Sequence, residues 1–432
     1  MTVSVSGADA VLGTIEIPSD KSIAHRAAIL AAITDGTSRL VHYPDSADPQ
    51  STLACLRALG VRIEDEDGIL AVHGRGRRVF EEPSGPLDCG NSGTTMRLLA
   101  GVLAGQPFES VLAGDASLSG RPMERIAVPL RLMGAEVDLT DGHAPVTIRG
   151  GRLRAIEYPL PIQSAQIKSC VLLAGLYADG ETTVVESVVS RDHTERMLGL
   201  PVVDFGSQRS VSVSSSHRLI PQTWTIPRDV SAAAFFIVGA TVVPRSILEL
   251  PGVGVNPGRA ALIDVLNSMG GSVEVSNTRL RSGEPIADIR IESARLTGVD
   301  IGGDLIPRLV DEIPVLAVAA TQSDGVTTIR DAAELRVKES DRIAAIATAL
   351  RTMGASIEEL PDGLRIAGPT PLHGGRVDAC GDHRIAMALG IAGIAAEGTT
   401  TISGSEAASV SYPAFWADLA KVAIGAEVMV GT

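Results

Sequence analysis

Along this chain, apolar stretches of helical length alternate with short runs rich in Val, Ile and Thr, and polar residues collect where one gives way to the other. The run Ala27 to Ile33 follows Ser19 and Asp20, both good N-caps, so a helix is expected to begin near Lys21. Glycine marks the other ends. Gly60 (Ala-Leu-Gly-Val-Arg-Ile), Gly134 (Leu-Met-Gly-Ala-Glu-Val), Gly270 (Ser-Met-Gly-Gly-Ser-Val), Gly354 (Thr-Met-Gly-Ala-Ser-Ile) and Gly425 (Ala-Ile-Gly-Ala-Glu-Val) each follow a helical pattern and precede a β-branched run. Each reads as a helix stopped by a C′ glycine and continued as a strand. A degenerate copy at Met197 to Val203 brings the number to six, at intervals of roughly seventy residues.

A second signature recurs between these marks, an Ala/Leu-rich helix that enters a strand through Asp-Gly or Glu-Gly. It occurs at Asp35-Gly36, Asp179-Gly180, Asp324-Gly325 and Glu397-Gly398, with weaker copies at Leu99 to Leu112 and Ile237 to Leu248. Such turns need a residue in the left-handed region, which glycine supplies. Each unit is therefore expected to be of βαβαββ type, and six of them can close into two globular groups of three. The change of group is expected at Thr225 to Asp229, because Val230 to Gly239 starts the fourth unit and Gln208 to Pro221 before it is polar and hairpin-like.

A chain of 432 residues is too long for one comfortable core, and 45% hydrophobic with 20% charged residues is ordinary globular composition, which agrees with two domains. Thirty-seven Lys plus Arg against 51 Asp plus Glu give a net charge of −14, which speaks against non-specific nucleic-acid binding and makes any anion site a local gathering of cations. Aromatic residues at 3% argue against stacking platforms for single strands. No apolar run reaches membrane-spanning length. Cys55, Cys89, Cys170 and Cys380 lie far apart with no metal-ligand spacing, and are expected as free thiols in a reducing cytoplasm.

The helix starts carry the candidate chemistry. In Pro18-Ser-Asp-Lys-Ser-Ile-Ala-His-Arg26, Lys21 and Ser22 fall in a first turn whose unpaired N–H groups favour an anion, and Arg26 adds a guanidinium one turn on. Cys89 to Arg97 is a glycine-punctuated loop entering a helix; Gly114 to Met123 carries Arg121 just ahead of a helix that Pro122 can start. Gln163 to Ser169 offers hydroxyl and amide groups, and Ser190 to Arg196 a further arginine, Arg191. Asp311 and Glu312 precede the apolar run Ile313 to Ala320. Glu334 to Arg342 packs three cations and three anions into nine residues, and Cys380 to Met387 puts His383 and Arg384 at the start of a very apolar helix. Taken singly, each of these is matched by a plain alternative, a capped or salt-bridged helix face. Cations at Lys21, Lys338 and Arg384, however, are read as opposing the dipole of a helix start, so local stability does not explain them.

Other motifs fail. Gly252 to Gly258 has Pro257 where a dinucleotide fingerprint needs glycine and is expected to be a turn. Ser22 and His25 are helical neighbours rather than a nucleophile and base, and His73 to Arg78 is a short basic hairpin. His25, His193 and His383 lie in separate segments, so no metal constellation is visible. What remains is a pocket of cations, a few carboxylates, a histidine and small hydroxyls, suited to small polyanionic substrates and to proton transfer by Lys, Glu or Asp.

Asp20-Lys-Ser-Ile-Ala-His-Arg26, Gly90-Asn-Ser-Gly-Thr94, Gly120-Arg-Pro-Met123, Ser164-Ala-Gln166, Ser190-Arg-Asp-His-Thr-Glu195, Asp311-Glu312, Arg336-Val-Lys-Glu-Ser-Asp-Arg342 and Asp382-His-Arg384 stand in the order of, and resemble, the enolpyruvylshikimate-phosphate synthase family. The resemblance covers the chain from its first strand to its last helix. It implies an α/β fold of two similar globular domains, each of three βαβαββ repeats in an inside-out α/β barrel, with the active site in the interdomain cleft; residues 12–227 would form one domain, and 1–11 with 228–432 the other. It implies transfer of the enolpyruvyl group of phosphoenolpyruvate to the 5-hydroxyl of shikimate 3-phosphate, with loss of phosphate, by a cytoplasmic monomer that uses neither cofactor nor metal, does not engage nucleic acid or membrane, and is inhibited by glyphosate.

Carried over by position, Lys21, Ser22, Arg26, Ser164, Ala165, Gln166, Arg191, Asp311 and Lys338 would hold shikimate 3-phosphate. Lys21, Gly93, Arg121, Gln166, Arg342 and Arg384 would surround phosphoenolpyruvate. Lys21, Asp311, Glu339 and His383 would be catalytic, Asp311 accepting the hydroxyl proton and Glu339, with Lys21 and His383 nearby, protonating the methylene carbon. Gly93 stands where an alanine in some members narrows the site against glyphosate, which implies sensitivity. Three departures are notable: no lysine in Ser409 to Pro413, Glu334 in place of an asparagine, and Arg228 in place of a glycine before Asp229. A sister enzyme acting on UDP-N-acetylglucosamine carries a reactive cysteine in the loop matching Ala116 to Ser119, absent here, and a non-catalytic sugar-phosphate-binding paralogue would be expected to lose Asp311 and Glu339, both present.

Overall fold

The computed structural model describes residues 1–206 and 208–431. It divides into two compact units, Ser19–Pro227 with Leu280–Glu284, and Met1–Pro18 with Arg228–Arg279 and Pro285–Thr432, here the first and second units. The expected boundary at residue 12 therefore moves. Strand Ala10–Thr14 pairs in parallel with Ile247–Gly254 and antiparallel with Ala423–Ile424, and these ladders hold the segment up to Pro18 in the second unit.

One sheet pattern recurs. In the first unit the strand orders are Thr223–Thr225, Asp35–Val41, Ile69–Arg75, Arg62–Glu66; then Leu87–Asp88, Glu109–Ala113, His143–Arg149, Glu136–Thr140; then Glu157–Pro159, Glu181–Glu186, Gln208–Ser214, Val202–Phe205. In each sheet the first pair is parallel and the next two are antiparallel. The second unit repeats this order with Asp300–Ile301, Gly325–Ile329, Gly363–Gly368, Ser356–Leu360, and with Arg376–Asp378, Thr399–Ser403, Thr2–Ser6, Val428–Gly431. Its third sheet runs Ser272–Arg281, Glu284–Glu292, Ile247–Gly254, Ala10–Thr14, Ala423–Ile424. Each unit thus closes on a strand borrowed from far along the chain, Thr223–Thr225 in one and the N-terminal strands in the other. Gly252 to Gly254, expected as a turn, ends a strand instead, with a register irregularity between Leu250 and Val253.

Inside the sheets lie helices buried on nearly every face: Lys21–Ala32, Gly93–Leu103 and Ala165–Gly175 in the first unit, and Val230–Val242, Ile313–Thr321 and His383–Ile394 in the second. Their composition explains this, since a helix apolar all round has no face to give to water. Small residues permit close approach. A Cβ on Gly101 would lie 2.3 Å from the carbonyl oxygen of Cys170 on the adjoining helix. The partner helix of each repeat, such as Glu124–Leu132 or Arg342–Thr352, instead buries one stripe and leaves the other side at least partly open to water, with Glu124 and Arg131 exposed on the first and Thr348 and Arg351 on the second. The glycines read as turns have positive φ, among them Gly36 at 113° and Gly354 at 96°.

Capping fixes where the inner helices begin. The N–H of Ile23 donates to Asp20 (2.9 Å), that of Thr95 to Ser92 (3.1 Å), that of Ile167 to Ser164 (3.4 Å), that of Ser231 to Asp229 (2.8 Å) and that of Arg384 to Asp382 (2.8 Å). The polar residues of the motifs accordingly sit at the N-terminal ends of otherwise apolar helices. No helix among the described residues is long and apolar enough to cross a membrane. Cys55, Cys89 and Cys170 are buried free thiols and Cys380 an exposed one.

Candidate active site

In the first unit, helix starts separated widely in sequence meet through hydrogen bonds. Lys21 opens the helix Lys21–Ala32, and its ammonium contacts Asp48 at 3.0 Å. His25 Nδ1 lies 2.6 Å from Thr52 Oγ1, which lies 2.7 Å from Thr95 Oγ1, and Thr95 donates to the Ser92 cap at 2.8 Å. Burial, then the charges of Lys21 and Arg26, hold the His25 imidazole well below its ordinary pKa, so it is neutral. Arg26 is 4% exposed, and donates to Thr194 Oγ1, Ser169 Oγ and the Ser22 carbonyl, each at 2.8 Å. Burial draws its pKa down to about 10, against the opposing pull of Glu195 and Asp20. With three protein acceptors engaged, at most two of its five N–H groups are left for a ligand.

Around Gly93 the same unit gathers guanidinium groups. Arg121 Nη2 donates to Asn91 Oδ1 at 2.6 Å and to Ser117 Oγ at 3.3 Å. Arg97 Nη1 donates to Gln166 Oε1 at 2.5 Å, and Gln166 Nε2 donates to Thr94 Oγ1 at 3.0 Å. The Gly93 start thus lies beside two cations, Arg97 and Arg121. Arg97 stands in the glycine-loop motif, yet no role is assigned to it from sequence; a charge inside an apolar helix, one turn after Gly93, is the signal that could have marked it. Ala116–Ser119, expected as flexible loop, is a short helix capped by Asp115. Ser164 caps the helix that Ala165 opens, and Arg191 lies between strand Glu181–Glu186 and helix His193–Leu198.

The second unit holds the carboxylates. Arg342, 1% exposed, spans three of them: Nε donates to Asp382 at 2.8 Å, Nη2 to Glu339 at 2.5 Å and Nη1 to Asp311 at 3.3 Å. Burial opposes its charge, but Glu339, Asp382 and Asp311 together more than offset this and raise its pKa. Burial likewise works against the Asp382 anion, and Arg342 with His383 outweighs it, leaving Asp382 below the usual carboxylate range. Arg384 Nη1 donates to the Asp311 carbonyl at 2.9 Å and lies 3.6 Å from Glu312; Arg259 reaches Asp311 at 3.8 Å and Asp229 at 3.1 Å. His383, 3% exposed, has Nδ1 4.0 Å from Asp382. So Asp311, Glu339, Arg342, His383 and Arg384 do come together. Arg259, buried and paired, is a member that motif reading missed.

Lys338 departs from expectation. It follows the 3₁₀ turn Ala333–Val337 rather than opening a helix, and the next helix starts at Arg342, capped by Asp341. The cation therefore does not oppose a dipole; its ammonium sits 3.6 Å from Glu334 and is about a quarter exposed, at 26%. Desolvation lowers its pKa despite Asp311 and Glu334. Arg336 is structural, tied to Asp341 at 2.7 Å and Glu359 at 3.1 Å. Arg228, the unexpected residue before Asp229, pairs with Glu16 at 2.7 Å. Among the described residues no group of three or more His, Cys, Asp or Glu could hold a metal ion.

Arginine-laden helix starts in one unit and a carboxylate–arginine cluster in the other coincide with a match over residues 5–419 to the family of EPSP synthase (3-phosphoshikimate 1-carboxyvinyltransferase). The chain belongs to this family. It is 55% identical over 429 residues to the 3-phosphoshikimate 1-carboxyvinyltransferase of Salinibacter ruber, covering 98% of this chain and 100% of that protein. It is 49% identical to the protein of the same name from Geobacillus kaustophilus, covering 94% and 96%. In structure it is similar to the EPSP synthase from Acinetobacter baumannii, with a TM-score of 0.87, 42% identity and coverage of 99% and 100%. A TM-score of 0.77 to an enolpyruvyl transferase from Streptomyces tendae, 20% identical with coverage of 100% and 99%, shows the shared fold.

Proposed function

We propose that this enzyme transfers the enolpyruvyl group of phosphoenolpyruvate to the 5-hydroxyl of shikimate 3-phosphate, releasing phosphate, in aromatic amino-acid biosynthesis. The observation that carries the reading is full-length family membership together with an intact Asp311–Glu339–Arg342–Arg384 cluster, the part a binding-only paralogue would not need. We assign shikimate 3-phosphate to Lys21, Ser22, Arg26, Ser164, Ala165, Gln166, Arg191, Asp311 and Lys338, and phosphoenolpyruvate to Lys21, Gly93, Arg121, Gln166, Arg342 and Arg384.

In this mechanism Asp311 accepts the proton of the 5-hydroxyl as its oxygen attacks C2 of phosphoenolpyruvate, and Glu339 delivers a proton to the methylene carbon, giving a tetrahedral ketal. Lys21 and His383 support that transfer. Loss of a proton from the new methyl group then restores the double bond as the C–O bond to phosphate breaks. Lys21 and the arginines stabilise the departing dianion, and because their partners already hold them in place, little reorganisation is needed at that step. Glyphosate is expected to compete at the phosphoenolpyruvate subsite, and the protein to act as a monomer.

Phosphate release on mixing the protein with both substrates, and with each alone, tests the reading. Release that requires both supports it. No release from folded protein overturns it and turns attention to UDP-N-acetylglucosamine as acceptor. Asp311→Ala or Glu339→Ala retaining full turnover would refute the proton assignments.

A further inference from the structure

Beneath the Arg191 segment lies a cluster of charges that the chemistry above does not use. Lys168, on the inner helix Ala165–Gly175, is 0% exposed; its ammonium contacts Glu186 at 2.9 Å and 3.2 Å and Glu195 at 2.5 Å. Glu186 and Glu195 are themselves 2% and 3% exposed. Taking three charges out of water is costly, and a purely structural site would be served as well by apolar residues of similar size. Glu186 has a further task. Its Oε2 accepts from the Ser190 N–H at 3.1 Å and from Ser190 Oγ at 2.8 Å, while Lys168 reaches the Ser190 carbonyl at 3.5 Å. Both backbone polar groups of Ser190, and its side chain, are thus held by one ion pair, and the next residue is Arg191. On the other side of the cluster, Arg26 faces Glu195 electrostatically and is hydrogen-bonded to Thr194 and Ser169, with Ser169 and Thr194 2.7 Å apart.

We propose that Lys168 and Glu186 are positioning residues for shikimate 3-phosphate: their buried ion pair fixes Ser190, and so the backbone from which Arg191 reaches the substrate's anionic groups. The inference rests on the substrate assignment above. It separates the two substrates, because Arg191 is assigned to shikimate 3-phosphate alone while Gly93 and Arg121, assigned to phosphoenolpyruvate alone, draw on other contacts. Loosening Ser190 therefore weakens one substrate and spares the other. Geometry imposed from behind a binding residue typically governs affinity by on the order of ten-fold.

The test uses Glu186→Gln, Ser190→Ala and their double variant in the full chain, with calorimetric binding of shikimate 3-phosphate and steady-state phosphate release. Each single variant is expected to raise Kd and KM for shikimate 3-phosphate by on the order of ten-fold, with kcat and KM for phosphoenolpyruvate changed by less than about two-fold. The double variant should be little worse than either single one, since both substitutions weaken the same Glu186–Ser190 linkage. Ser190→Ala keeps every charge and keeps the test decisive if Glu186→Gln does not fold. Unchanged shikimate 3-phosphate binding in a folded variant overturns the inference, as does a parallel loss for both substrates, which would mark a merely structural role. Failure of the unaltered protein to bind shikimate 3-phosphate would instead overturn the substrate assignment itself.

Discussion

Replacing Gly93 with alanine should raise KM for phosphoenolpyruvate and weaken glyphosate, with a smaller loss for shikimate 3-phosphate, which shares Gln166 but not Gly93 or Arg121. A Cβ at Gly93 would lie 2.8 Å from Arg97 Nη1 and 3.4 Å from Arg121 Nη1. The second distance is tolerable. To restore the first to 3.4 Å, the Arg97 guanidinium must retreat by roughly 0.6 Å, the difference between the two separations. It is not free to do so without consequence, because the same Nη1 makes the 2.5 Å hydrogen bond to Gln166 Oε1, whose amide donates onward to Thr94. A hydrogen bond from a charged group contributes about 1.5 to 3 kcal/mol, and losing about half of it costs about 0.75 to 1.5 kcal/mol, roughly a three- to twelve-fold effect on binding. The assay is phosphate release with phosphoenolpyruvate varied at saturating shikimate 3-phosphate, repeated with glyphosate. Arg97 adjusts from the end of a flexible side chain, so stability should change little. A folded Gly93→Ala protein with unchanged KM for phosphoenolpyruvate and unchanged inhibition, or with equal losses for both substrates, would refute the reasoning.

Gly101→Ala should behave in the opposite way, costing about 1 to 3 kcal/mol of stability in urea or thermal unfolding with normal KM values, because its Cβ meets the Cys170 carbonyl at 2.3 Å and backbone cannot yield. Arg342→Met removes a cation bonded to Asp311, Glu339 and Asp382 together and should cost about 3 to 5 kcal/mol, with phosphate release falling to background even where the protein stays folded at low temperature. His25 gives a pH dependence with a definite sign. Its folded pKa is depressed, so the unfolded chain binds the proton more readily. Stability is full above the unfolded value of about 6.5 and falls by up to about 1.4 kcal/mol per pH unit as pH drops below it, until the folded pKa is reached. Unfolding free energies between pH 7.5 and 5 should show this slope in the unaltered protein and a smaller one in His25→Asn; equal slopes would show that another group is responsible.

What the sequence determined by itself is local. Asp20, Ser92, Ser164, Asp229 and Asp382 cap the helices they precede, and Gly60, Gly134, Gly270 and Gly354 end helices with positive φ, because caps and turns involve atoms only a few residues apart. The six-fold repetition was legible for the same reason, as was the placing of Lys21, Gly93, Gln166 and Arg384 at helix starts. Only the tertiary structure decided which sheet Ala10–Thr14 joins, since the pattern of a strand names its buried face and not its partner. It also decided that Lys338 follows a 3₁₀ turn, that Arg97 stands beside Gly93, and that Arg384 and Arg342 meet Asp311 across 73 and 31 residues. Those ion pairs are made by the packing of apolar helices, and apolar periodicity fixes that a helix is buried without fixing which charges its end will face.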